Sequence, residues 1–219
     1  MFEGQSPDNY EQKCLCVLVV DISGSMSGEP ISQLNKGLQE FHRSVMEDFV
    51  ASQRLEVCVV TFGSTVNCIQ EPDLVSNFQM PSLSTSGSTK LVDGVRYAID
   101  IVDRRKRWYK ETGQNYYRPM IVLVTDGEPD ADQDIIGLSN EVSSKISSKS
   151  FTFYSIGVRG YNHNKLSLIC PNPPPLPLDG YKFSEFFTWL SNSIGIITKS
   201  KEGEVLMLPP VSDWTQIQM

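Results

Sequence analysis

Long apolar stretches are missing from this chain of 219 residues. Runs such as Val17–Val20 and Met120–Val124 fall far short of the roughly 20 residues a helical bilayer span needs, so no membrane partner is expected. The N-terminus, Met-Phe-Glu-Gly-Gln-Ser-Pro-Asp, carries neither a basic n-region nor an apolar h-region. A signal peptide is therefore not expected, and a cytoplasmic location is. Positive charge is scarce: 19 Lys and Arg against 26 Asp and Glu leave a net charge of −7. That balance excludes a protein whose main task is gripping phosphate backbones, so no nucleic-acid partner is expected. Only two histidines are present, and the five cysteines show no CxxC spacing, which leaves a zinc centre without ligands. Cys14, Cys16 and Cys58 lie inside apolar runs, where a thiol acts as a small hydrophobe, and an odd count fits reduced cysteines in a cytosolic protein. Internal repeats and a linker long enough to divide the chain are also lacking.

What remains is an ordinary globular composition, 40% hydrophobic and 21% charged, in a chain long enough to bury roughly 70% of its unfolded surface as one domain. Cys14–Val20, Leu55–Phe62, Met120–Thr125 and Phe151–Val158 are apolar on both faces, as strands are when helices cover both sides of their sheet. Val66–Ile69 follows the second run closely enough for a hairpin to an antiparallel edge strand. Between the strands, Ile31, Leu34, Leu38, Phe41, Val45 and Phe49 recur at helical steps behind Pro30, a residue suited to a first helical turn. Leu91, Val95, Ala98, Ile99 and Val102 make a second stripe, Ile135, Leu138, Val142 and Ile146 a third, and Phe183, Phe186, Phe187 and Leu190 a last one. This alternation specifies an α/β class with a doubly wound, mainly parallel sheet. The proline stretch 172–177 leads toward a final strand around Leu176 and Leu178. The domain is expected over residues 1–198, with 199–219 a tail whose Val205–Leu208 and Trp214 offer it something to dock with.

Open α/β sheets bind ligands beyond the carboxyl ends of their strands. The residues that follow the apolar runs are Asp21-Ile-Ser-Gly-Ser25 and Thr125-Asp-Gly-Glu128, with Ser86-Gly-Ser-Thr89 just before the second helical stripe. Converging there, they supply two carboxylates, Asp21 and Asp126, and three hydroxyls, Ser23, Ser25 and Thr89. An all-oxygen set is hard-cation chemistry, and Mg²⁺ takes about six oxygens while usually keeping water. Five side chains cannot fill that shell, so a partner's Asp or Glu could complete it. Residues 21, 23 and 25 point the same way if the chain leaves the strand extended, and Gly24 lets the loop bend tightly.

These three segments resemble the metal-ion-dependent adhesion site of von Willebrand factor A domains. The wider context, Asp21–Pro30, Val59-Val-Thr-Phe-Gly63, Tyr116-Tyr-Arg-Pro119, Thr125-Asp-Gly-Glu-Pro129 and Trp189-Leu-Ser-Asn-Ser193, resembles the TerY/YegL-like bacterial branch over nearly the whole chain. The resemblance implies a sheet order of 3-2-1-4-5-6 with strand 3 antiparallel. It also implies a Mg²⁺-type ion, with Mn²⁺ and Ca²⁺ as alternatives, held by the residues matching Asp21, Ser23, Ser25, Thr89 and Asp126. Members of this branch are associated with tellurite-resistance and stress loci beside protein kinase and phosphatase partners. Ser88 and Val92 stand where the branch often has glycine, and Met120 where it often has tryptophan; none is an expected ligand.

Rival chemistries fit the same residues less well. Ser25, Asp126 and His163 follow the Ser…Asp…His order, yet the Gly24-Ser-Met-Ser-Gly28 segment puts methionine at the nucleophile position of an elbow. An aspartyl-phosphate phosphatase wants a carboxylate at position 23, and the Gly-Lys-Ser/Thr of a phosphate loop is absent. Asp130, Asp132, Asp134 and Glu141 imitate an EF-hand loop with Ile135 in place of its glycine; acidic residues at a helix N-terminus explain them better. Arg104-Arg-Lys-Arg107, followed by Trp108 and Tyr109, reads as the solvated face of a helix. His42 reads as structural. The expected function is thus a non-enzymatic interaction module binding a protein partner's carboxylate through a metal. A metal-assisted hydrolase with Glu128 as general base and an extracellular adhesion domain are the alternatives.

Overall fold

The computed structural model describes residues 9–126, 129–170, 172–201, 204–212 and 214–215. Six strands form one sheet: β1 (Cys14–Asp21), β2 (Leu55–Phe62), β3 (Val66–Leu74), β4 (Met120–Thr125), β5 (Thr152–Gly157) and β6 (Leu176–Pro177). Their order across the sheet is β3-β2-β1-β4-β5-β6. Every neighbouring pair is parallel except β2 with β3. The α/β doubly wound fold, its strand order and its antiparallel strand are therefore as expected.

β1, β2 and β4 are buried along their whole lengths because their alternate side chains enter two different cores. On one face, Leu18 and Val20 of β1 meet Leu34, Leu38, Phe41, Phe183, Phe186, Phe187 and Leu190. The helices responsible are α1 (Glu29–Glu47) and α6 (Phe183–Lys199). On the other face, Leu15, Val17 and Val19 meet residues of α3 (Leu91–Thr112), α4 (Ile135–Ser147) and α5 (His163–Ile169). Residues 15–20 of β1 are each 0% exposed. At roughly 25 cal/mol per Å² of apolar area removed from water, these two faces supply most of the drive to fold. β3 is the exception. Its burial alternates, as a strand at the sheet edge does with one face covered, and it runs five residues beyond the fragment the sequence suggested.

Two sequence expectations need correction. Phe49 does not continue the stripe of α1. Asp48 ends that helix and caps a short α2 (Phe49–Arg54), accepting from the amides of Val50 and Ala51 at 3.0 and 3.1 Å, and Phe49 is 80% exposed. Nor is Arg104–Arg107 uniformly solvated. Arg105 turns inward and pairs with the buried Glu56 through two hydrogen bonds of 2.7 Å, while Trp108 and Tyr109 are buried beside it. A period-3.6 pattern of charges hides one cation that has found a buried acid on the sheet.

The tail lies against the α6 side of the domain. Trp214 is fully buried against Phe186 and Trp189, Trp189 Nε1 donates to the Pro209 carbonyl at 2.8 Å, and the Asp179 amide donates to the Trp214 carbonyl at 2.9 Å. Among the described residues no helix is long and apolar enough to cross a membrane.

Candidate metal centre

The strand order reverses at β1, which pairs with β2 on one side and β4 on the other. Loops leaving the carboxyl ends of β1 and β4 consequently diverge and open a crevice, the switch point at which open α/β sheets bind ligands. Asp21 is the last residue of β1, and Asp126 is the first after β4.

Four of the five residues expected at the site are joined there by hydrogen bonds. Asp21 is completely buried, with Oδ1 accepting from the Ser23 amide at 2.8 Å and Oδ2 from the Thr125 hydroxyl at 2.6 Å. Ser23 and Ser25 hydroxyls lie 3.0 Å apart, and Ser25 Oγ donates to Asp126 Oδ1 at 2.8 Å. The path from Asp21 to Asp126 therefore runs through the Ser23 amide and two hydroxyls. Its backbone differs in one respect from the expectation. Ser23 is extended, with φ −59° and ψ 167°, but Gly24–Met26 makes a single 3-10 turn. Gly24 has no left-handed backbone; the positive φ in this segment belongs to Gly28, at +84° just before α1.

Thr89, the fifth expected residue, is bonded through its backbone to Asp130 and Gln133 and not to the other four. Its amide donates to Asp130 Oδ1 at 3.2 Å, and its carbonyl accepts from the Asp130 amide at 3.2 Å and from Gln133 Nε2 at 2.6 Å. The loop carrying it is moored to the first loop: the Ser86 amide donates to the Ile22 carbonyl at 2.6 Å and the Gly24 amide to the Gly87 carbonyl at 3.0 Å. Gly87 has φ +66°, and a Cβ there would fall 1.5 Å from Ser64 Oγ, so the close approach of these loops requires glycine. Ser88 donates its amide to Ser64 Oγ at 3.1 Å and serves the loop rather than the oxygen cluster.

Burial raises the pKa of Asp21, against the opposing hydrogen bonds from Ser23 and Thr125, and the nearby Asp126 raises it further. Burial likewise raises Asp126, opposed by its bond from Ser25. Among the described residues no lysine or arginine bonds either carboxylate, so the two acids share a pocket of hydroxyls without a compensating cation. Such a set fits a hard divalent ion. With two carboxylates and three hydroxyls and neither histidine nor cysteine, the set does not suit zinc; among the described residues no cluster of three or more His, Cys, Asp or Glu side chains occurs for any metal. The sequence reading missed Thr125, Asp130 and Gln133, which orient the oxygens rather than supply them. Thr125 could have been found, since it directly precedes Asp126 at the end of a buried strand.

The rival assemblies are not formed. His163 Nδ1 lies 3.0 Å from the Tyr161 hydroxyl, while Ser25 is bonded to Ser23 and Asp126. Asp134 caps α4 by accepting from the Gly137 amide at 2.8 Å, and Arg96 bridges Asp134 and Glu141 at 2.9 and 3.4 Å, so these two acids of the EF-hand-like segment are engaged elsewhere. His42 Nε2 lies 3.1 and 2.9 Å from the Val75 and Phe78 carbonyls, a structural role. Glu128 lies outside the described residues.

A family model of the von Willebrand factor type A domain matches residues 16–186. No curated protein sequence matches. Among solved structures, the pilus adhesin SpaC from Lactobacillus rhamnosus GG in its open conformation shares 14% identity at a TM-score of 0.67, covering 87% of this chain and 31% of its own. The vWF domain of the type V pili tip protein Mfa5 from Porphyromonas gingivalis shares 12% at 0.57, covering 90% and 99%. The manganese-loaded TRAP protein of Plasmodium vivax shares 18% at 0.53, covering 83% and 74%. This chain thus spans about a third of the SpaC chain, and at these identities the likeness is one of fold.

Proposed function

Because the chain belongs to the von Willebrand factor type A family, we propose that it is a non-enzymatic interaction module whose oxygen cluster binds a divalent cation and, through it, an acidic residue of a protein partner. Asp21, Ser23, Ser25, Thr89 and Asp126 would hold the ion, with Thr125 orienting Asp21. Mg²⁺ is the proposed ion, and the manganese-loaded relative makes Mn²⁺ the natural substitute. The bound ion supplies a Lewis-acidic position for an external carboxylate. Two carboxylates only neutralise a divalent charge, so a third, brought by the partner, completes an anionic shell.

The observation that carries this reading is the unbroken hydrogen-bonded path from Asp21 through Ser23 and Ser25 to Asp126. Its test is capture of partners from the native host by the immobilised chain in Mg²⁺, in EDTA, and with Asp126→Ala. Capture that needs both the metal and Asp126 supports the proposal; capture indifferent to both contradicts it.

The finer assignment, to a TerY/YegL-like bacterial stress or tellurite-resistance system with a kinase or phosphatase partner in the cytoplasm, rests on the flanking motifs. The structural relatives named above do not reach that branch. They support a second reading, an extracellular adhesion domain, since two come from pilus proteins. Fractionation of native cells separates the two locations.

A further inference from the structure

Among the five cysteines, two are in contact. Cys58 of β2 and Cys68 of β3 place their sulfurs 3.6 Å apart; Cys58 belongs to the core under α3 and Cys68 packs against it. The contact arises from the irregular register of this one antiparallel pair. Cys68 is opposite Val60, and the ladder slips on either side of Val59, which leaves Cys58 diagonal to Cys68 on the same face. Cys58 is 0% exposed, whereas Cys68 is half-buried on the edge strand, where nothing in the sheet lies beyond it. Its thiol also contacts the Gln70 carbonyl at 3.3 Å.

From this juxtaposition we infer that Cys58 and Cys68 are a site of reversible covalent modification, closing to a disulfide across the β2–β3 edge when a peroxide reaches Cys68. The steps balance as two electrons. The Cys68 sulfur attacks a peroxide oxygen, the O–O bond breaks, and water leaves with the thiol proton, giving a sulfenic acid. The Cys58 sulfur then displaces the sulfenic hydroxyl, which departs as a second water carrying the Cys58 proton. In all, two thiols and one H₂O₂ give one disulfide and two H₂O. The order follows from access. Burial and the neighbouring Cys68 push the Cys58 thiol well above its usual range, so it is the poorer first nucleophile, and its part as resolving thiol follows from its contact with the Cys68 sulfur. A disulfide needs sulfurs about 2.05 Å apart, so closing the 3.6 Å contact requires the half-buried Cys68 side chain to move toward Cys58. The remaining cysteines do not compete: Cys14 and Cys16 are successive residues on one face of a buried strand, and burial pushes the Cys14 thiol up to about 12.

The experiment treats the whole reduced chain with H₂O₂ under native conditions, quenches with an alkylating agent, and reads intact mass and non-reduced peptide maps. The expected result is loss of about two mass units, two fewer alkylated thiols after denaturation, and a Cys58–Cys68 cross-linked peptide that dithiothreitol reverses. Cys68→Ser, at the half-buried position, should abolish the cross-link. Cys170→Ser should retain it and serves as a folded control. Five alkylatable thiols after peroxide, over-oxidation of Cys68 without a cross-link, or a cross-link between other cysteines would each overturn the inference. The readout is independent of metal and partner, so it stands or falls apart from the proposed function.

Discussion

Both oxygens of Asp21 accept hydrogen bonds inside a buried pocket, so the charge can be removed while the shape is kept. Asp21→Asn should leave the melting temperature of the metal-free protein unchanged or raised, because a buried uncompensated charge disappears. It should also abolish the gain that saturating Mg²⁺ gives the wild type, about 5–10 °C if the ion is present at 100 times its dissociation constant. Calorimetric melts with and without EDTA measure both effects. Thr125→Val tests the layer behind. It removes the 2.6 Å bond to Asp21 while leaving every expected ligand in place, and losses of this kind weaken metal affinity by about 10–100-fold. Titration calorimetry with Mn²⁺ should show that loss; an unchanged affinity would mean that Asp21 needs no bracing.

The junction of α1, α2 and α6 turns on Asp48. It caps α2 and accepts from Lys199 Nζ at 2.6 Å. Partial burial works to raise its pKa, but the Lys199 bond and the Ala51 and Val50 amides outweigh that and hold it below the ordinary carboxylate value. A depressed native pKa contributes stability that is fully present above the unfolded pKa and is lost as pH falls through the native one. Asp48→Asn keeps a capping oxygen but has no charge to titrate, so its unfolding free energy should fall less steeply than the wild type's below about pH 4. Urea unfolding at a series of acid pH values checks this. Near the start of β2, just after α2, Glu56 receives Arg105 twice and the Tyr109 hydroxyl at 2.5 Å. Glu56→Ala removes both carboxylate bonds of a buried guanidinium and should cost about 3–5 kcal/mol, whereas Glu56→Leu with Arg105→Met should recover most of it. Neither arrangement could be read from periodicity. The apolar stripe of α1 runs in step through Phe49, and only the side chain of Asp48, by taking two amides, stops it. Arg105 looks like its charged neighbours until the sheet supplies Glu56.

Across the molecule, legibility follows how far apart the interacting residues lie in the chain. Strands such as Cys14–Asp21 and Met120–Thr125 announce themselves because both their faces are apolar, and the strand alternation with helices then places Asp21 and Asp126 at the carboxyl end of the sheet. Spacing within a single segment, as in Asp21, Ser23 and Ser25, was likewise readable. What escaped was the mooring between distant segments: Thr125 to Asp21 across 104 positions, Gln133 to the Thr89 carbonyl across 44, and Cys58 against Cys68 through a slipped ladder. These depend on register and loop approach, which no local pattern encodes. A 3.6 Å thiol contact on an edge strand is visible only once the bulges of β3 are in place.

The central claim is that a hard cation is held where the loops after β1 and β4 meet. Crystals of the full chain grown in Mn²⁺ and measured at a wavelength where manganese scatters anomalously test it most directly. The account predicts a strong anomalous peak enclosed by Ser23, Ser25 and Asp126, with coordinating oxygens about 2.0–2.2 Å away, and its disappearance in Asp126→Ala. Well-ordered loops around Asp21 and Asp126 with no peak between them in saturating manganese would contradict it.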